Sequence, residues 1–405
     1  MTSNSERTSP AATADPPAAA AVNLDLGPLM TVSVLLLVAG LVGFFVAFMQ
    51  GASARAWQAF LVNLLFWMGL AQGGVVASAA FYLTQARWAG STTYRLAEAF
   101  AGFLPIGFVL FWGLYLGRTE IFPWILHPVS AQKAKWLNTP FLFARDGIGL
   151  FVMTALSLWF VRSSRRADVQ RWARNPDNIV LPPNVMRRLS PAVALCFAGI
   201  YSLIGFDLVM SLSPVWRSTL FGAYFFASVF WAALVAMSLT AVLMRSRLGS
   251  SVFSSPTVLH DLGKLVFAFS IFWIYLTFAQ YLVIWYADIP VETFFIVERT
   301  QVFPWSVLGW SVPIMVWLIP FVVLLGRRPK CTPAILGSVA ALGLAGIWLE
   351  MYVLVVPSLS PRTIPFGWVE ALVTIGFAGA FFLCSAPGLK LVAQSATSGH
   401  SGELR

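Results

Sequence analysis

Long apolar runs separated by short polar segments dominate the chain. Ten runs of about 20 residues or more are present, each long enough to cross a bilayer as a helix. They lie roughly at 28–49, 56–84, 93–116, 140–161, 189–212, 218–244, 258–287, 303–326, 333–356 and 364–387. Because backbone amides inside a bilayer must find partners within their own segment, runs of this length predict helices and not barrel strands. We therefore predict an all-α, polytopic membrane protein with ten transmembrane helices.

The two ends of the chain differ from these runs. Residues 1–27 are rich in Ala, Pro, Ser and Thr and predict a disordered tail, because such a segment buries too little apolar surface to order itself. Residues 388–405 predict a second tail, which leaves 28–387 as the membrane domain. Most Lys and Arg residues fall on the side that holds both ends, so we expect both termini in the cytoplasm.

Composition supports a membrane protein and argues against a nucleic-acid-binding one. Hydrophobic residues make up 59% of the 405 positions and charged residues only 10%. The formal net charge of +10 is a topology signal, because the basic residues concentrate in loops on one predicted side. A nucleic-acid interface would need a soluble basic domain, and the sequence has no segment of that kind. Lipid is the expected surrounding.

The sequence offers few ligands for a redox centre. Only one of its three histidines, His260, lies in or near a predicted span. Cys196, Cys331 and Cys384 are isolated from one another without CxxC spacing, so we expect three free thiols. Phosphate-loop, GxSxG and HExxH motifs are absent from the sequence. If electrons are involved, other subunits are expected to carry them.

Ionisable residues inside the spans are the main candidates for chemistry. A charge near the bilayer centre costs about 2.5 to 3.5 kcal/mol on insertion scales, so each needs a partner, water or a function. The predicted topology sorts them by depth into two clusters. One lies toward the cytoplasmic ends of the third and seventh helices and contains Glu98, His260, Asp261 and Lys264. The other lies in the outer half of the fourth, fifth, ninth and tenth helices and contains Arg145, Asp146, Asp207, Glu350 and Glu370.

Two polar clusters at opposite depths are typical of proton half-channels. Carboxyl groups suit proton relay because burial brings their charged and neutral forms closer in energy. Asp207 in "YSLIGFDLVMSL" and Glu350 in "GIWLEMYVL" favour this interpretation, since neither stretch contains a cation.

The other charged residues have a structural alternative. Asp261 and Lys264 are three residues apart and can neutralise each other near a helix start. Glu98 lies three residues after Arg95 and can pair with it in the same way. Arg145 and its neighbour Asp146 can extend to the outer interface of the membrane.

Two helical stripes indicate how the spans pack. One face of the seventh helix carries polar and aromatic residues at helical spacing, and we expect it to face the bundle and bridge the two clusters, although such stripes also serve as ordinary interhelical contacts. Its members are Ser270, Trp273, Thr277, Gln280 and Tyr281. In the second helix Gly69, Gly73 and Ala77 repeat every four residues and predict a seam for close helix packing.

Three stretches carry a more specific resemblance. They are "IFPWILHPVSAQKAKWLNTPFLFARD" at 121–146, "FDLVMSLSPVWRSTLFGAY" at 206–224 and "HDLGKLVFAFSIFWIYLTFAQYLVIWYADIPVET" at 260–293. Together they resemble the NrfD/polysulfide-reductase-type membrane subunits of bacterial alternative complex III, a quinol oxidoreductase. The first stretch and the chain length are closer to its second, ActF-type subunit than to the larger ActC-type one. Where related quinone-site subunits have a histidine in "HLGR", this chain has Tyr115 in "YLGR".

The resemblance implies a fold, a location and partners. The implied fold is two four-helix bundles plus two peripheral helices in the bacterial cytoplasmic (inner) membrane. The implied partners are a homologous ActC-type membrane subunit, an iron–sulfur subunit and multihaem cytochrome c subunits, which would carry the electrons. The resemblance also implies a proton path through Asp207 and through Asp261 with Lys264.

The resulting hypothesis is an integral subunit of a quinol:cytochrome c oxidoreductase, without a redox centre of its own, that anchors the complex and conducts protons. The alternatives are a quinone-binding subunit of the same superfamily, a stand-alone transporter with inverted repeats and broken helices, or a pure scaffold. A quinone site would need a pocket near the outer face that is reached from lipid. The residues assigned to the proton path are Asp207, Asp261, Lys264, His260, Glu98, Asp146, Arg145, Glu350, Ser270, Thr277 and Tyr281.

Overall fold

The computed structural model describes residues 26–86, 88–127, 129–174, 184–248 and 256–400, and all regular structure in these ranges is helical. Ten helices are long and apolar enough to cross a membrane, so the chain has the architecture of a multi-pass membrane protein. They are α1 (Gly27–Met49), α2 (Ser53–Leu83), α3 (Thr92–Gly113), α4 (Thr139–Arg166), α5 (Val185–Leu212), α6 (Phe221–Ser246), α7 (Thr257–Ala287), α8 (Trp305–Val323), α9 (Pro333–Val355) and α10 (Trp368–Ser395). All ten predicted spans are confirmed.

The two predicted tails differ in how much of them the structure describes. The tail predicted for 1–27 lies almost wholly outside the described residues. The tail predicted from 388 is helical as far as His400, since the last helix continues to that residue with Pro387 inside it. Packing explains the continuation: a Cβ on Gly388 would lie 2.2 Å from the carbonyl oxygen of Ala99, so this part of α10 is pressed against α3.

The ten spans form two bundles and a peripheral pair. Helices α2 to α5 pack together as the first bundle, and α6 to α9 pack together as the second. Helices α1 and α10 pack against each other beside the first bundle, where Gly40 and Gly376 let the two backbones touch. This is the arrangement that the resemblance implies.

The small-residue seam of α2 joins the two bundles. A Cβ on Gly69 would lie 2.9 Å from the side chain of Val229, and one on Gly73 would lie 2.7 Å from Ala233. Both contacts are with α6, so the prediction of a packing seam is confirmed. The seam lets the central helices of the two bundles approach closely, and α2 is the most buried span.

Three spans depart from regular α-helix. Helix α3 tightens to a 3₁₀ segment at Ala99–Phe103, just before Pro105. Helix α8 widens to a π segment at Ile314–Leu318, directly after Pro313, whose missing N–H interrupts the helical hydrogen bonds. Helix α5 has a second π segment at Gly205–Val209, and such segments are frequent at functional sites.

Ten crossings place the start of α1 and the end of α10 on the same side of the protein, here called the terminal side; the opposite side is the loop side. On the loop side the helix Pro290–Thr300, here called the loop-side helix, connects α7 to α8. On the terminal side the short helix Arg327–Cys331 connects α8 to α9. The terminal side is the side predicted to be cytoplasmic.

Candidate functional site

Asp207 lies in a bidentate ion pair near the loop-side end of the first bundle. The Arg145 guanidinium on α4 donates from Nε and Nη2 to the two carboxylate oxygens of Asp207, each at 2.6 Å. Trp136 Nε1 donates to the same carboxylate at 2.9 Å, and its ring lies 4.0 Å from the Arg145 guanidinium carbon. The interpretation that Arg145 extends to the membrane interface is therefore wrong. A buried carboxylate and a ring face hold it inside the bundle.

Asp146 lies in the same cluster. Its side chain is fully buried, and neither of its carboxyl oxygens has a hydrogen-bond partner within the described ranges. Asp207 and Arg145 are near enough to interact with it electrostatically. Three residues of the predicted outer cluster thus come together, two acids sharing one cation.

Glu98 is also ion-paired, near the terminal end of the first bundle. Arg95 donates to its carboxylate at 2.6 Å, and Ser78 donates to the other oxygen at 2.9 Å. The side chains of Arg95 and Glu98 are both buried, so the predicted pair between them is confirmed. Glu370 on α10 forms a similar bidentate pair with Arg55 on α2, at 2.9 and 2.7 Å.

The polar start of α7 contains a third kind of pair. Lys264 Nζ donates to Asp261 Oδ1 at 2.9 Å, as the spacing predicted. His260 Nδ1 lies 3.7 Å from the same carboxylate oxygen. The Lys264 side chain is 57% exposed, so this cluster lies at the membrane surface and not inside the bundle.

The polar stripe of α7 faces the bundle only in part. Ser270 and Trp273 are buried, whereas Tyr281 is 44% exposed and lines a cavity between α7, α8 and α9 together with Thr277. Ser270 donates to the carbonyl oxygen of Phe267, and Thr277 donates to that of Trp273, both within the same helix. These bonds do not connect the two clusters.

Glu350 is a buried acid with no cation within 4.0 Å in the described ranges. It lies on α9 five residues before the loop-side end, which is about 8 Å at 1.5 Å per residue, and is 1% exposed. Its Oε1 accepts hydrogen bonds from Ser228 Oγ at 2.8 Å and from Trp273 Nε1 at 3.2 Å. Its Oε2 has no hydrogen-bond partner within 3.5 Å in the part of the chain that the structure describes, and the Tyr224 phenol lies close to the same carboxyl group. An ion pair holds a carboxylate in its charged form, whereas a carboxyl group bonded only to neutral donors can gain or lose a proton.

Glu350 lines a cavity of about 770 Å³, here called the α7–α9 cavity because α7, α8 and α9 form most of its wall. Aromatic side chains dominate the lining, among them Trp273, Tyr275, Phe278, Trp310 and Trp317. Tyr275, Phe278 and Trp310 are each at least 58% exposed on the lipid-facing surface of the second bundle. The cavity is therefore open laterally to lipid, with a carboxyl group at its inner wall.

Arg299 on the loop-side helix lines the same cavity. Its guanidinium donates to the carbonyl oxygens of Val353 at 2.9 Å and Leu354 at 3.1 Å, where α9 ends. It also lies 3.5 Å from the Phe295 ring, which stacks on Trp216 in the connection between α5 and α6 with centroids 3.7 Å apart. Burial lowers the pKa of Arg299. Sequence reasoning missed Arg299, because it falls between two spans in a polar stretch.

A second, smaller cavity of about 450 Å³ opens on the loop side between the bundles. Arg217 and Glu292, whose charged atoms are 3.5 Å apart, contribute to its wall together with Gln280. The cavity reaches Trp136, the residue that donates to Asp207. It therefore lies between the loop-side surface and the buried Asp207 pair.

Other candidate ligands give no cluster. Within the described ranges no three His, Cys, Asp or Glu side chains are grouped as metal ligands, and all three cysteines are free thiols, as expected. Tyr115 lines neither of the two cavities; Arg118 lies over its ring at 4.2 Å. Searches with family models and against curated proteins found no match to this chain.

Proposed function

We propose that the chain is a membrane subunit of a quinol-oxidising complex of the alternative complex III type, and that a quinol ring binds in the α7–α9 cavity with Glu350 accepting one of its protons. The observation that supports this most is the position of Glu350. It is a buried carboxyl group without a cation, at the wall of an aromatic cavity that is open to lipid.

The cavity has the properties that a quinol requires. A volume of about 770 Å³ lies in the range of small-molecule sites, which combine apolar walls with a few fixed polar groups. A quinol dissolved in the membrane reaches the cavity sideways, past Tyr275 and Trp310. Aromatic walls favour a flat ring, and the free Oε2 of Glu350 is an acceptor for a quinol hydroxyl.

The chemistry divides between this chain and its partners. Oxidation of a quinol to a quinone releases two protons and two electrons. The Glu350 carboxylate accepts one proton at Oε2, while Ser228 and Trp273 hold the carboxyl group in place through Oε1. The second proton passes to water at the mouth of the cavity. In the complex that the resemblance implies, the electrons pass to the iron–sulfur and multihaem subunits.

Proton transfer along the other acids stays a prediction and is part of the same proposal. Asp207 lies in the π segment of α5 and below the smaller cavity, which supports a proton exit on the loop side. Its ion pair with Arg145 argues for a structural role as well. If protons pass along Asp207, Asp207→Asn in the purified complex lowers the proton-to-electron ratio more than it lowers quinol oxidation.

Glu350→Gln tests the proposal. Glutamine keeps the shape and can accept the bonds from Ser228 and Trp273, but it cannot take up a proton. We expect quinol oxidation by the purified complex to fall about 100-fold, the lower range for loss of a general base. Glu120→Gln, at an exposed glutamate on the loop side that lines neither cavity, is the matched control and should keep its rate.

Two results would contradict this proposal. One is an unchanged rate of quinol oxidation in Glu350→Gln. The other is a photoreactive quinone analogue that labels only partner subunits and never α7, α8 or α9. Gentle purification without haem or iron–sulfur partners would contradict the assignment to such a complex.

A further inference from the structure

The terminal-side end of the groove between α7 and α8 carries an excess of positive charge. Lys330 lies in the short helix Arg327–Cys331 and faces the start of α7. A Cβ added to Gly263 on α7 would lie 3.0 Å from the Cβ of Lys330. Arg327, Lys330 and Lys264 are close enough to His260 to act on it electrostatically. Only Lys264 is neutralised, by Asp261. In the described ranges Arg327 and Lys330 have no carboxylate within 4.0 Å.

Lys330 is the unusual member of this group. It is only 8% exposed, yet its ammonium makes a single long hydrogen bond, 3.5 Å to the carbonyl oxygen of Leu325. Its other contact is with the Phe267 ring, 4.8 Å away. An ammonium has three donors, so a buried lysine with one weak bond has donors left for an anion. Burial and the nearby Lys264 lower the pKa of Lys330. An anion bound between the two lysines would favour the charged form of Lys330 and so oppose this shift.

The surface below this group is suited to acyl chains. Phe267 on α7 stacks on Phe321 on α8 with ring centroids 5.5 Å apart. Val322 and Leu325 beside them are 62% and 64% exposed on the outside of the bundle. A headgroup at Lys330 would therefore continue into chains that lie along an exposed apolar surface at the depth of one leaflet.

We propose that Lys330, Arg327 and Lys264 form a binding site for the phosphate of an anionic phospholipid. The three cations lie at the headgroup level near the start of α7, where Lys330 supplies free donors and Arg327 supplies a planar pair of N–H groups. Phe267, Phe321 and Val322 hold the start of the acyl chains. A phospholipid, and not a soluble anion, fits because the site opens onto the lipid-facing groove.

Lipid retention by the full chain, purified with its partners, tests the site. The protein is incubated with vesicles containing equal amounts of phosphatidylcholine and phosphatidylglycerol, and retained lipid is counted by native mass spectrometry. We expect a preference for phosphatidylglycerol that falls about fivefold in Lys330→Met and by a similar factor in Arg327→Gln. Lys390→Gln, an exposed lysine on α10 of the same side, is the control and should keep the preference.

Three outcomes would overturn the proposal. The first is equal retention of the two lipids by the unmodified protein. The second is an unchanged preference in both Lys330→Met and Arg327→Gln; because Arg327 is exposed, its replacement reports on binding even if Lys330→Met is unstable. The third is displacement of phosphatidylglycerol by inorganic phosphate but not by chloride at the same ionic strength, which would make this a site for free phosphate.

Discussion

The two bundles bury carboxyl groups in the same apolar medium by different means. In the first bundle Asp207 and Glu98 each face an arginine at 2.6 Å, and both side chains of each pair are largely buried. In the second bundle Glu350 faces neutral groups, a serine hydroxyl, an indole N–H and the Tyr224 phenol, beside a cavity. The first arrangement fixes a charge and holds helices together. The second arrangement leaves a carboxyl group that can exchange a proton with a ligand in the cavity.

The ion pairs of the first bundle also link helices that are distant in sequence. Arg145 on α4 binds Asp207 on α5, and Arg55 on α2 binds Glu370 on α10. Because a buried charge that loses its partner is left in an apolar medium, such pairs are costly to break even where their net contribution is small. The difference between the bundles can therefore be tested by the same chemical change in each.

The largest expected effect is on stability. Asp207→Asn removes the carboxylate that pairs with the buried Arg145 guanidinium and leaves Asp146, which makes no hydrogen bond to Arg145, as the nearby acid. We expect this change to lower the free energy of unfolding by about 3 to 5 kcal/mol. Glu350→Gln is the matched amide substitution and should cost less than about 1 kcal/mol, since its neutral donors keep an acceptor. Denaturant or thermal unfolding of the purified protein measures both. Equal losses in the two variants would remove the distinction between the bundles.

A smaller effect is expected when the second bundle is given a cation. Thr277→Lys places an ammonium on the cavity wall one turn from Trp273, where it can pair with Glu350 and occupy the ligand volume. We expect binding of a short-chain quinone, followed by tryptophan fluorescence quenching, to weaken about tenfold, or about 1.4 kcal/mol. Thr277→Val is the control, because the native hydroxyl bonds only within its own helix. Undiminished quenching in Thr277→Lys would place the quinone elsewhere.

The smallest effect is expected at the donor to Glu350. Ser228→Ala removes the 2.8 Å bond to Oε1 and leaves the Trp273 donor in place. We expect a loss of about 1 kcal/mol in either stability or quinone affinity, the usual value of one hydrogen bond. Ser238→Ala on the same helix is the comparison, because Ser238 donates only to the carbonyl of Leu234. Identical behaviour of the two variants would show that Ser228 does not position Glu350.

The sequence predicted the fold closely, since crossing a bilayer is a local property of about 20 residues. It also predicted pairs within one helix, such as Arg95 with Glu98 and Lys264 with Asp261, because helical spacing fixes those distances. The length of the last helix was not predicted. It continues past Gly388 to His400, and Gly388 contacts α3 at Ala99, a contact between distant residues that the local sequence does not reveal.

The candidate site was only partly accessible to sequence reasoning. Glu350 was found because an acid in an apolar run is conspicuous. Arg145 was placed in the same cluster as Asp207, but their ion pair was not predicted, because the two residues lie 62 positions apart. Arg299 went unnoticed because it falls between two spans in a polar stretch, and its acceptors Val353 and Leu354 lie more than 50 positions further on. The cavity itself is an empty volume between three helices, and no residue type marks an empty volume in a sequence.

The glycines of α2 limit how this protein can move. Gly69 and Gly73 bring α2 into direct contact with α6 over more than one turn. A rocking movement of the two bundles against each other would have to break this contact. Transporters that alternate between two open states depend on such rocking. Because the α2–α6 contact is so close, we expect ligands to enter and leave through side-chain movements at the mouth of the α7–α9 cavity. The two bundles are expected to keep their relative position.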